Sequence, residues 1–152
     1  MKTLILILSI IFTTSCSSDD EKSTAQSTPI NFTEIGKGNL TGNGSEGITQ
    51  SNLVITNEND WENLKIQMNS ENNVTDNFTD TTIDFNSYQI IAIFSDIKGD
   101  TRYSISINEI IETSNSIDVY SELNNVGSGF TQIVQPFHII KIPVKSKPII
   151  FE

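Results

Sequence analysis

Apolar and polar positions alternate with period two over much of the second half of the chain. Tyr103, Ile105, Ile107 and Ile111 alternate with Ser104, Ser106, Asn108 and Ile110. After Thr113-Ser114-Asn115, the positions Ile117, Val119, Ser121 and Leu123 alternate with Asp118, Tyr120 and Glu122. Successive side chains of a strand point to opposite faces, so two such runs joined by a polar turn predict a hairpin with one buried face. Tyr88–Phe94 is different. Ile90, Ile91, Ala92 and Ile93 follow one another without a polar break, which predicts a strand covered on both faces. Residues 131–142 read as another long strand ended by Pro143, and Ile149–Phe151 as a last strand at an edge. Residues 96–100 form a polar turn around Gly99, and residues 127–129 break the connection before the long strand.

The first half is less regular. Residues 30–35 carry a modest strand signal and residues 53–56 a short one. Between them lie Gly36, Gly38, Gly42, Gly44 and Gly47, which predict a mobile loop. This stretch lacks the terminal Gly-Lys-Ser/Thr and the following helix of a phosphate-binding loop. Residues 59–70 predict the one helix, with Asn59 as its cap and Glu62 returning a capping-box bond. Trp61, Leu64 and Met68 fall in one narrow stripe at 100° per residue, so that face packs on the sheet. Residues 72–84, rich in Asn, Asp and Thr, read as a loop. The predicted fold is mainly β, of the α+β kind: an antiparallel sheet or sandwich with one packed helix.

The N-terminus has a separate character. Lys2 precedes an apolar stretch from Leu4 to Phe12, interrupted only by Ser9. Nine helical residues span roughly 14 Å, about half of a hydrocarbon core of ~30 Å, so residues 1–15 read as a signal peptide. Thr13, Thr14 and Ser15 lead into Cys16, a pattern that resembles the bacterial lipobox despite Thr13 standing where Leu is usual. Cleavage before Cys16 and acylation of its thiol and amine would anchor the chain, each buried methylene contributing about 0.8 kcal/mol. Ser17, Ser18, Asp19, Asp20 and Glu21 resemble the surface-export signal of Bacteroidota lipoproteins. Residues 16–29 are then a polar tether, and residues 30–152 the domain. The expected location is the outer membrane, lipid-anchored, with the cell surface favoured over the periplasmic face.

Composition narrows the chemistry. Nine basic against 19 acidic residues give a formal net charge of −10, which leaves no electrostatic footprint for a phosphate backbone and excludes nucleic acid. One Cys and one His exclude a disulfide framework and a zinc site of standard spacing. His138 shares a strand face with Val134, Ile140 and Ile142, the setting of a satisfied structural histidine. Arg102, the only Arg, stands beside Lys98 and Asp100 in a strand connection, either as a charged turn residue or as a grip on an acidic partner. Asp76, Asp80 and Asp84 invite a cation reading, but the spacing and Gly of an EF-hand loop are missing, and a solvated loop is preferred. Asp80-Thr81-Thr82 also resembles a short O-glycosylation signal of exported Bacteroidota proteins. No acid sits in an apolar run where burial would raise its pKa. No metal, cofactor or catalytic set is expected, and the chain reads as a non-enzyme.

From the helix onward the order of motifs resembles the C-terminal domain of the protease complex subunit PrcB family. A Trp-bearing helix (Trp61 to Met68) precedes Ile83-Asp84-Phe85 and the apolar strand Tyr88–Phe94. A Gly-containing turn then leads to Tyr103-Ser104-Ile105-Ser106-Ile107, and the series ends in Gln135-Pro136-Phe137-His138-Ile139-Ile140-Lys141-Ile142-Pro143. The resemblance covers roughly residues 52–151. Thr101 and Arg102 depart from the Gly-Gly that the family places before the Tyr. The resemblance implies an accessory or stabilising lipoprotein subunit of an envelope protease complex, acting through a sheet edge or loops. Arg102, Tyr103, Pro136, Phe137 and His138 are the expected contact residues. A second reading is a small-ligand or glycan-binding surface lipoprotein with an aromatic pocket around Trp61 and Tyr120. A hydrolase is the third.

Overall fold

The computed structural model describes residues 27–152, so Cys16, the signal peptide and most of the tether lie outside the described residues. In chain order the elements are β1 (Thr28–Pro29), β2 (Thr33–Leu40), β3 (Ser51–Ile55), α1 (Glu58–Met68), a 3-10 turn (Val74–Asn77), β4 (Tyr88–Phe94), β5 (Lys98–Asp100), β6 (Tyr103–Glu112), β7 (Ile117–Asn125), β8 (Thr131–Pro143) and β9 (Ile149–Phe151). One sheet runs β1-β6-β7-β9. The other runs β2-β8-β4-β3, with β5 added to the start of β8. All pairings are antiparallel except β7 with β9, which is parallel. Among the described residues no helix is long and apolar enough to cross a membrane.

The uninterrupted apolar run of β4 has a simple cause. Ile90, Ala92 and Phe94 pack with Phe137 and Ile139 of β8 against Trp61, Leu64 and Met68 of α1. Ile91 and Ile93, with Ile140 and Ile142, pack against Ile105, Ile107, Ile110, Ile117 and Val119 of the other sheet. Two cores thus share β4 and β8 as their common wall, giving three layers: helix, sheet, sheet. The expected mainly-β fold with one packed helix is what the chain adopts.

Pro136 sits inside β8, where a missing N–H would orphan a carbonyl. Ser95 N donates to Pro136 O at 2.9 Å, but Pro136 returns nothing. The Gln135 side chain fills the gap: its Nε2 donates to Ser95 O at 2.9 Å and to Ile48 O at 3.0 Å.

Several boundaries differ from the sequence expectation. The first strand of the second sheet covers residues 33–40, so Gly36 and Gly38 lie in β2 and not in a mobile loop. The loop proper follows β2, where Asn43, Gly44 and Gly47 have positive φ. Gly36 is required by packing: a Cβ there would come closer than 3.0 Å to the Phe78 ring. The helix cap is Asn57 and not Asn59. The Asn57 side chain accepts from Asp60 N at 3.0 Å and donates to Asp60 Oδ2 at 2.7 Å, while Glu62 pairs with Lys65 at 2.6 Å. Starting there places Glu58 and Asp60 in the first turn, at the positive end of the helix dipole. Residues 98–100 are a short strand on β8 within the expected turn. Thr28 and Pro29, expected to end the tether, already pair with Glu112 and Ile111 of β6.

Candidate functional site

Pro136, Phe137 and His138 are buried in the middle of β8, so this segment offers almost no surface to a partner, contrary to the expectation for it. His138 is 3% exposed. Its Nδ1 accepts from Ile107 N at 2.7 Å, and its Nε2 lies 3.0 Å from Glu34 Oε2. An Nδ1 that accepts an N–H fixes the neutral tautomer with hydrogen on Nε2, which donates to Glu34. Burial pushes the imidazole below its ordinary pKa and Lys37 adds to this, while Glu34 opposes it. Lys37 Nζ in turn donates to Ser106 Oγ at 2.6 Å. Together these contacts pin β2 and β8 of one sheet to β6 of the other. Neither imidazole nitrogen is left to take a proton from a nucleophile.

Arg102 and Tyr103 are placed differently, at the end of β6 remote from β1. The tip there combines β5, residues 101–103 and the segment between β7 and β8. Thr101 N donates to Phe130 O at 3.1 Å, and Phe130 N donates to Thr101 Oγ1 at 2.9 Å. This two-way tie holds Phe130 in place although it is 81% exposed. Gly129 makes the tie possible: a Cβ there would collide with the Arg102 side chain. Gly127, with φ +85°, turns the chain just after Val126, itself 70% exposed. Arg102 is engaged within the tip. Its Nη2 meets Asp100 Oδ2 at 2.7 Å and its Nε meets Oδ1 at 3.1 Å, which holds the Asp100 carboxyl below its usual range. Lys98 pairs with Asp96 at 2.7 Å, and its Nζ lies 5.0 Å from the Tyr103 ring centre. On a strongly acidic chain, the tip cancels its charges pairwise while leaving large apolar groups in solvent.

The other sequence candidates do not converge. Trp61 is fully buried, stacked on Phe78 with ring centres 6.0 Å apart, and its Nε1 donates to Thr81 O at 3.1 Å. Tyr120 is exposed on β7, in the other sheet. The two therefore line no common pocket, and the aromatic cavity expected around them is not there. A groove of about 280 Å³ does lie along β2, walled by Asn72, Asn73, Asn77 and Phe78; the Asn-rich loop gave no sign of it because the floor comes from Gly36 and Gly38. Asp80 is bound to Lys141, and Asp84 accepts from Ser87 Oγ, Asn86 N and Asn86 Nδ2. Among the described residues, no three acidic, His or Cys side chains come together as a metal-ligand group.

Comparison with protein-family profiles gives no match, and comparison with curated proteins and with solved structures gives none either.

Proposed function

We propose that this protein is a non-catalytic binding subunit of a bacterial envelope, anchored through acylated Cys16 and acting as an accessory to a protease complex, as the resemblance to the PrcB family implies. Its contact surface is the tip. The supporting observation is Phe130: a large apolar ring 81% exposed and yet tied on both sides to Thr101. Exposed aromatic anchors beside charge-neutral surroundings are what protein interfaces concentrate. Distance supports the assignment too. β1 pairs at the Glu112 end of β6 and the tip starts at Tyr103, so about 30 Å of strand separates the tether from the tip. An anchored domain would carry that tip away from the lipid.

The test is photo-crosslinking from position 130 on intact cells. One defined envelope partner should be recovered, lost in a Phe130→Ser control probed from position 126. Recovery of only lipids and bulk porins refutes the assignment. The small-ligand or glycan reading keeps one observation in its favour, the Asn-lined groove beside Phe78. Saturable binding on a glycan array, abolished by Asn77→Ala, would move the function there.

A further inference from the structure

The second sheet has two outer strands, and their free edges are not alike. Ser95 and Pro136 exchange a ladder bond, so in β4 the odd-numbered residues from Gln89 to Ser95 face β8. The even-numbered Ile90, Ala92 and Phe94 face β3, since bonded pairs alternate along an antiparallel ladder. Their partners are Ile55, Leu53 and Ser51. The main-chain N–H and C=O groups of Asn52 and Val54 therefore point outward, with no partner among the described residues. At the opposite border, β2 is blunted: Thr79 N donates to Ile35 O at 2.8 Å, and the register slips between Glu34 and Gly36. A bulge, a covering segment and an edge lysine (here Lys37) are the usual protections against strand pairing. Among the described residues β3 has none of them.

The open edge also borders a groove. Leu53 and Leu64 line it from the strand and the helix, and Asp60, Asn63 and Gln67 complete the wall of α1 around about 280 Å³. Val54 borders the groove through its main chain, while its side chain alternates to the other face of β3 and is 40% exposed. We propose that the β3–α1 groove binds an extended, basic segment of a partner polypeptide, which adds to the edge of β3 as a further strand. Main-chain bonds to Asn52 and Val54 would supply the pairing, and alternate side chains would enter the groove or lie beside Val54. Asp60, the one charged residue of the groove among the described residues, selects Lys or Arg. The site is separate from the tip and stands whether or not the tip binds a protein.

The experiment selects displayed random peptides on the full-length chain in detergent. Enriched peptides should alternate apolar and polar residues and carry Lys or Arg. On binding, the amides of Asn52 and Val54 should become slow to exchange while that of Leu53, already paired, stays unchanged. Val54→Pro removes an outward N–H without touching a bond of the ladder, a position where an edge strand tolerates Pro. It should weaken the enriched peptides about three- to ten-fold and leave the thermal midpoint in place. No enrichment, enrichment of acidic peptides, or binding that leaves Asn52 and Val54 unprotected each overturns the proposal. So does the same protection pattern appearing without peptide as concentration rises, because the occupant is then a second copy of this chain.

Discussion

Replacing Gly36 by Ala adds one methyl group, and its position decides the consequence. Gly36 is not among the positive-φ residues, so the backbone accepts an L side chain without strain. The obstacle is Phe78, whose ring atoms would lie closer than 3.0 Å to the new Cβ. That ring cannot slide freely. It stacks on Trp61 at 6.0 Å and 13°, and meets Phe137 at 6.1 Å and 59°, while Trp61 is itself held by Thr81 O. Overpacking of this kind costs about 1–3 kcal/mol. Against it stands about 0.4–1 kcal/mol gained by restricting the unfolded chain. The overpacking cost less the entropic gain leaves a loss of up to about 2.6 kcal/mol, centred on about 1.3 kcal/mol. Two residues along the same strand, Gly38→Ala meets nothing nearer than Phe137 at 3.6 Å, an ordinary contact, so only the gain remains. Urea unfolding of the two variants should therefore shift the midpoint in opposite directions at an unchanged slope. In a Phe78→Leu background the Gly36→Ala penalty should shrink, because the obstructing ring is gone. If Gly36→Ala is as stable as Gly38→Ala, Phe78 is not what demands a glycine in β2.

Three further outcomes follow from the polar contacts. Since burial depresses His138, the unfolded chain takes up its proton first, as the pH falls through about 6.5; stability should decline from there downward, and His138→Gln should remove that first decline. A second decline should follow at lower pH, as carboxyls such as Glu112, held at about 2 by hydrogen bonds from Lys145 and Lys147 against an ordinary 4.5, are protonated, and chemical unfolding across pH separates the two stages. Gln135→Leu strands the carbonyls of Ser95 and Ile48 and should cost at least about 2 kcal/mol in equilibrium unfolding. Asn57→Ala should cost about 1 kcal/mol through loss of the helix cap, whereas Asn59→Ala should change stability by less than about 0.5 kcal/mol.

The sequence made the second half of the fold readable because its strands advertise themselves in two distinct ways. β6 and β7 alternate, as half-buried strands must, and β4 does not, as a strand shared by two cores must not. The first half hid its architecture for an identifiable reason. Glycines inside β2 carry no strand propensity, and Gly36 is there to make room for Phe78, a residue 42 positions later whose approach no local pattern announces. The helix cap lies two residues before the expected Asn59 because residue type alone does not separate one Asn from another, and it is Asn57 whose side chain accepts from Asp60 N. Of the residues proposed for contact, Arg102 and Tyr103 stand at a charged turn that is visible in the sequence. The exposure of Phe130 has no such signal, since one Phe after a Gly-Ser-Gly run reads as the start of a strand and its position depends on the bond to Thr101. Pro136, Phe137 and His138 drew attention as a motif, and β8 buries them.

The direction of β2 and β8 has a mechanical consequence. Thr33 of β2 lies opposite Lys141, and Leu40 opposite Gln135, so β2 advances toward the tip while β8 begins there. β1 meets β6 in the same sense, with Thr28 at the end farthest from Tyr103. A pull applied between Thr28 and the tip therefore runs along these strands, loading their ladders in shear. Rungs in shear share the force and must rupture together, whereas rungs peeled from one end give way in turn. Such a geometry resists a lengthwise pull better than a peeling one.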